Sequence, residues 1–241
     1  MIKVHSYESM GTFDGPGLRL VVFLQGCPFK CLYCANPDTI DANGGRLTPQ
    51  SEIVEMAVSQ KPFFGKKGGI TFSGGEPTVQ AEALIPLVEE LKSKGIHVCL
   101  DSNGGVWNEN VERLLGLVDL VLLDVKQFNP QRHKELTGRE NARTLATAKW
   151  LNDHGRKFWM RYVLVPGYSD SEDDIRSLGE ALGQYECIER VEILPYHTLG
   201  VHKYAAMGWD YKLKDVKENT PSQIERAERL FKEYFKTVIV N

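Results

Sequence analysis

No stretch of this chain approaches the ~18 consecutive apolar residues of a membrane-spanning helix. Its opening, MIKVHSYESM, lacks the apolar core of a secretory leader. Nor is there a basic block: 29 Lys and Arg are interspersed with 32 Asp and Glu, for a formal net charge of −3. Such a balance offers no stripe to track a phosphate backbone, which argues against nucleic acid as a partner. Long linkers and low-complexity tracts are missing too. The expectation is a soluble, cytoplasmic, monomeric protein with one domain over 1–241. Cysteine is scarce, five in all, and in a reducing compartment these remain thiols rather than disulfides.

Three of the five crowd into QGCPFKCLYCANP as Cys27, Cys31 and Cys34. A structural zinc site takes four protein ligands, usually as two pairs, and no second pair follows. A cubane of four irons normally takes four thiolates. A run that stops at three would leave one iron open for a small-molecule ligand, and an open metal position is a place for chemistry. The competing readings are a zinc site completed by a distant histidine such as His5 or His197, and three unrelated loop thiols. Cys99 in IHVCLD and Cys187 in QYECIERV read as small buried hydrophobes outside the site.

Short apolar runs alternate with helical patterns along the chain. The strands are expected at 18–24, 68–73, 96–102, 117–126, 158–165 and 190–196. Between them lie a helix from about Thr48, with Pro49 at its first position, then AEALIPLVEELKSKG, NENVERLLG, ARTLATAKWLNDHG and EDDIRSLGEALGQ. Near-continuous apolar strands separated by helices imply a parallel sheet covered on its other face. About six units predict an α/β fold, a partial (β/α)6 TIM-like barrel with outer helices. A last helix, SQIERAERLFKEYF, sets Ile224, Ala227, Leu230, Phe231 and Tyr234 on one core-packing stripe.

In such a fold the carboxyl ends of the strands gather catalytic residues. Those ends carry, in turn, the three cysteines; Ser73, Gly74, Gly75 and Glu76; Asp101, Ser102 and Asn103; Asp124 and Lys126; Arg161, leading to Pro166 and Gly167; and Tyr196 and His197. Singly, each has a bland reading as a turn, a cap or packing. Together they form one polar rim.

CxxxCxxC after the first strand, with Tyr33 before the third cysteine, and GGEP after the second strand resemble the signature of radical S-adenosylmethionine enzymes. HSYESMGTFDGPGLR, LDSNG, LLDVK, RYVLVPGYSD and LPYHTLGVHKY extend the resemblance, over essentially the whole chain, to the pyruvate formate-lyase activating enzymes. The resemblance implies one 4Fe-4S cluster on Cys27, Cys31 and Cys34, with S-adenosylmethionine on the open iron. It also implies a 5′-deoxyadenosyl radical that takes a hydrogen from a glycine of pyruvate formate-lyase. By the same carry-over, Gly74 and Gly75 let backbone approach the methionine ammonium, Glu76 adds charge nearby, and Lys126 meets the carboxylate. Tyr33, Cys34, Ala35, Asp124, Val125 and His197 complete the cofactor contacts. Asp101, Ser102 and Asp124 would hold a monovalent cation, Na+ or K+, and Asp14 and Arg161 would touch the target glycine loop.

The chain departs from the family in having Ala35-Asn36 where His-Asn is frequent, and it lacks a ferredoxin-like insert. An external one-electron donor, flavodoxin or ferredoxin, is therefore expected. A radical enzyme acting on a small molecule, similar to 7-carboxy-7-deazaguanine synthase, and a zinc-stabilised binding module are the alternatives.

Overall fold

The computed structural model describes every residue, Met1–Asn241. The chain forms two compact units, one of Met1–Pro28 with Thr39–Leu122 and one of Phe29–Asp38 with Leu123–Asn241.

The first unit opens with β1 (Ile2–Gly11), antiparallel to both β2 (Arg19–Leu24) and β3 (Arg46–Thr48). Then come α1 (Gln50–Phe64), β4 (Gly69–Gly74), α2 (Ala81–Ser93), β5 (His97–Ser102), α3 (Glu109–Leu117) and the start of β6 (Leu120–Asp124). Strands β2, β4 and β5 are parallel, with Leu20 opposite Ile70 and Ile70 opposite Val98. All three of those side chains have no exposed surface, as expected of a parallel sheet that is apolar on both faces. The hydrogen-bonded order is β3-β1-β2-β4-β5-β6. Helix α3 starts where the Asn108 side chain accepts from the Val111 amide. It runs to Leu117, so the expected strand at 117–126 shortens to Leu120–Asp124.

The second unit continues with α4 (Pro130–Thr137), α5 (Ala142–Asp153), β7 (Phe158–Leu164), α6 (Glu172–Leu182), β8 (Ile188–Pro195), α7 (Val201–Ala206), α8 (Pro221–Lys232) and β9 (Val238–Val240). Its order is β6-β7-β8-β9, with β7, β8 and β9 parallel. A capping box between Thr220 and Gln223 starts α8. Of the expected stripe, Ala227, Leu230 and Phe231 are buried and Ile224 is half-buried. Tyr234 lies beyond the helix end, and its ring stands where a Cβ on Gly179 of α6 would be, 2.3 Å away. The sheet is mostly parallel, flanked by helices, and has edges at β3 and β9, so it is not closed. No helix is long and apolar enough to cross a membrane.

Candidate active site

The rim of the first unit turns inward on itself. After β4, Gly74 adopts φ of 102°, and a Cβ there would sit 2.4 Å from the Leu24 nitrogen. A Cβ on Gly75 would sit 2.3 Å from the Gly26 carbonyl oxygen. Close approach of this turn to the backbone after β2 requires both glycines, before any ligand is considered. Two amides lock the turn in place: Gly75 donates to the Leu24 carbonyl and Glu76 to the Gly26 carbonyl, each at 2.8 Å.

Glu76 itself is fully buried. Its Oε1 accepts from the Thr78 amide (3.1 Å), Thr78 Oγ1 (2.6 Å) and Ser102 Oγ (2.7 Å), and its Oε2 from the Asn103 amide (2.7 Å). Burial raises its pKa, against these four bonds, which favour the charge. The carboxylate thus ties the GGEP turn to the end of β5. Ser102 Oγ also accepts from the Gly104 amide, and Asp101 Oδ2 accepts from Ser73 Oγ at 2.7 Å. Asn103 Nδ2 lies 3.7 Å from Cys27 Sγ, while the Cys27 amide donates to Ile40 at 3.1 Å.

Asp14 sits in a loop folded over the other end of these strands. Its carbonyl accepts from Thr71 Oγ1 at 2.6 Å, and the fully buried Arg19 donates to the Pro16 carbonyl at 3.0 Å. Burial lowers the Arg19 pKa. This arginine, whose polar partners are spread over three segments, was invisible in the sequence.

In the second unit the remaining cysteines lie on a loop held by α4. The Lys30 and Leu32 amides donate to the Thr137 and Leu136 carbonyls, each at 2.9 Å, and Cys34 donates to the Cys31 carbonyl at 3.1 Å. Helix α4 was missed in the sequence because it is polar. Its signals were Asn129, which caps the Gln131 and Arg132 amides, Pro130 at its first position, and Gly138 with φ of 75° at its end. Burial pushes the Cys34 thiol up, against Lys126 and Lys203, which favour its thiolate. Lys203 in turn donates to Asn36 (2.8 Å) and pairs with Asp38 (3.1 Å). Gly200, the N-cap of α7, approaches so closely that a Cβ would lie 2.7 Å from the Ala35 Cα.

Next to this loop is a cavity of about 190 Å³, lined by Tyr33, Ala35, Asp124, Lys126, Arg161 and His197 together with apolar groups of β7 and β8. It is smaller than the ~300 Å³ of most small-molecule sites. Lys126 Nζ pairs with Asp124 Oδ2 at 2.8 Å and lies 5.6 Å from the centre of the Tyr33 ring. Burial opposes the Lys126 charge, but Asp124, helped by Tyr33 and Cys31, outweighs it and holds the pKa well above the usual lysine value. Val125 is buried, and its amide donates to the Arg161 carbonyl at 3.0 Å. Arg161 Nε donates to Glu192 Oε2 at 3.0 Å. His197 is exposed, and its Nδ1 accepts from the Leu199 amide at 3.4 Å.

None of the five cysteines forms a disulfide. Cys31 and Cys34 share a loop of the second unit and Cys27 belongs to the first, and no three cysteine, histidine or acidic side chains are gathered around one metal position; what points to an iron-sulfur cluster is the donor type, soft thiols in a short run. A cavity holding a paired cation and anion beside an aromatic ring suits a ligand with amino, carboxylate and ring groups.

Residues 21–178 match the Radical SAM superfamily. The chain is 43% identical over 235 residues to pyruvate formate-lyase 1-activating enzyme of Escherichia coli (strain K12), covering 96% of each chain. It is 44% identical over 234 residues to pyruvate formate-lyase-activating enzyme of Staphylococcus aureus (strain USA300), covering 94% of this chain and 93% of that one. Among solved structures, Streptococcus suis SuiB bound to S-adenosylmethionine is similar with a TM-score of 0.71 at 18% identity, over 93% of this chain and 50% of that chain, a likeness of fold alone. A likeness this high over nearly the full length decides the matter: the chain belongs to the Radical SAM superfamily and, within it, to the pyruvate formate-lyase activating enzymes.

Proposed function

We propose that this chain activates pyruvate formate-lyase, its protein substrate, by leaving a radical on one glycine of that partner. The observation that carries the reading is the near-full-length identity to enzymes named for this activation. The cysteine loop and the charged cavity of the second unit support it. When bound, the cluster and S-adenosylmethionine would supply the chemistry: one electron cleaves the S–C5′ bond and releases methionine, and the deoxyadenosyl fragment leaves as 5′-deoxyadenosine after taking a hydrogen atom from the glycine.

Cys27, Cys31 and Cys34 hold the cluster as thiolates. Lys126, kept charged by Asp124, binds the cofactor's carboxylate. Tyr33, the Cys34 and Val125 backbones, Ala35 and His197 orient the nucleoside part. Gly74 and Gly75 shape the turn that faces the methionine amino group, and Glu76 fixes that turn from below. Arg161 contacts the loop that carries the target glycine. The electron comes from a flavodoxin or ferredoxin, and the chain works as a cytoplasmic monomer with all its residues in one radical SAM domain.

The test is anaerobic electron paramagnetic resonance of the reconstituted, reduced protein mixed with S-adenosylmethionine and pyruvate formate-lyase from the same organism. A glycyl radical that is absent with Cys31→Ala supports the assignment. Formation of 5′-deoxyadenosine without a radical on the partner would keep the cofactor chemistry and overturn the substrate.

A further inference from the structure

Strand pairing places three residue pairs in line on one face of β7 and β8: Trp159 opposite Arg190, Arg161 opposite Glu192, and Val163 opposite Leu194. Val163, Leu194 and Arg161 line the cavity. Glu192 sits one step behind them, 2% exposed, between two cations: Arg161 Nε at 3.0 Å and Arg190 Nη1 at 3.3 Å. Arg190 is in turn stacked on Trp159, its guanidinium carbon 3.8 Å from the ring centre. The chain of contacts therefore runs from a partly exposed arginine braced on an indole, through a buried carboxylate, to the arginine at the cavity wall.

A need for strand cohesion does not explain this arrangement. The β7–β8 ladder already joins the two strands from Phe158 to Leu164, and buried ion networks are commonly replaceable by apolar residues without loss of stability. What the carboxylate does impose is direction. The Nε contact to Glu192 restricts how the Arg161 guanidinium can turn, and the Arg161 carbonyl, bonded to the Val125 amide, fixes its base beside the Asp124 and Lys126 segment.

The geometry points to Glu192 as the positioning residue that aims Arg161 at the protein substrate, with Arg190 on Trp159 as the brace that keeps Glu192 in place. The inference rests on the reading of Arg161 as a contact to the target loop. Glu192 touches neither the cofactor nor the glycine; it sets the orientation of the group that meets the partner.

The test is steady-state activation of pyruvate formate-lyase by the cluster-loaded enzyme, separating KM for the partner from kcat, for Glu192→Gln, Arg161→Ala and the double variant. Glu192→Gln keeps the size and removes the charge, and is expected to raise KM about fivefold with less than a twofold change in kcat. Arg161→Ala is expected to raise KM about tenfold, and the double variant to match Arg161→Ala alone, since the carboxylate acts only through the arginine. A parental KM for Glu192→Gln beside a raised KM for Arg161→Ala overturns the positioning role and leaves the Arg161 reading intact. A parental KM for Arg161→Ala overturns that reading and the inference with it. Should Glu192→Gln fail to fold, Arg190→Met removes the brace at a partly exposed position; a KM raised at least twofold supports the relay, and a parental KM overturns it.

Discussion

Glu76 and Arg161 are both buried charged side chains near the carboxyl ends of strands, yet they are used in opposite ways. Glu76 spends its oxygens on the protein, accepting four hydrogen bonds that join the GGEP turn to the end of β5. Arg161 is held by the Glu192 carboxylate and lines a cavity. The same contrast separates their surroundings. Ser73, Asp101, Ser102 and Glu76 in the first unit bond among themselves, whereas Tyr33, Lys126, Arg161 and His197 in the second converge on open space. A polar rim, then, need not be a ligand-binding rim along its whole length: part of it is framework.

Perturbing the two rims should give different kinds of damage. The largest effect is expected from Glu76→Gln, whose amide nitrogen cannot accept from the donors that Glu76 serves; it should lower stability by about 2 kcal/mol, measured by denaturant unfolding of the cluster-free protein. Lys126→Met should raise the dissociation constant for S-adenosylmethionine about tenfold, read by equilibrium binding to the loaded enzyme, with a smaller change in unfolding free energy. If Lys126→Met proves as destabilising as Glu76→Gln, the contrast between framework and binding rims collapses.

Histidines sharpen the comparison. His133 is fully buried beneath the cysteine loop, its Nδ1 against the Arg139 carbonyl at 2.7 Å and its Nε2 without a partner. Burial lowers its pKa below the ordinary 6.5, as burial and then Arg19 do for His97 in the first unit. Each binds its proton more weakly folded than unfolded, so stability is complete above about pH 6.5 and declines as the pH falls below it. The melting temperature should drop on acidification, and His133→Gln should flatten that slope; an unchanged slope would assign the acid loss to other groups. The smallest effect is expected from Gly116→Ala in α3, where a Cβ meets nothing within 4 Å: a gain of about 0.5–1 kcal/mol, read by the same unfolding curve.

The sequence made the repeating elements legible because period and burial agree there: β2, β4 and β7 are mostly apolar runs, and β5 and β8 hold the shorter apolar stretches Val98–Leu100 and Ile193–Leu194. β1 escaped because Lys3, His5, Ser6 and Glu8 interrupt its pattern, and because it pairs antiparallel outside the strand-helix rhythm. Strands β3 and β9, of three residues each, carry no period at all. In the sites, residues adjacent in sequence were found and partnerships across strands were not. That Glu76 takes Ser102 and Asn103, or that Glu192 faces Arg161, depends on strand register, which single-chain patterning leaves open.

The end of α4 has a further consequence. Helices finish with carbonyls that lack a partner, and here two of them are answered by the Lys30 and Leu32 amides of the cysteine loop. The segment that presents Cys31 and Cys34 is therefore already ordered by protein contacts alone. Its conformational entropy, of order 1–2 kcal/mol per residue, is lost when the chain folds rather than when metal arrives. The amides of Lys30 and Leu32 should accordingly resist hydrogen exchange in protein stripped of iron.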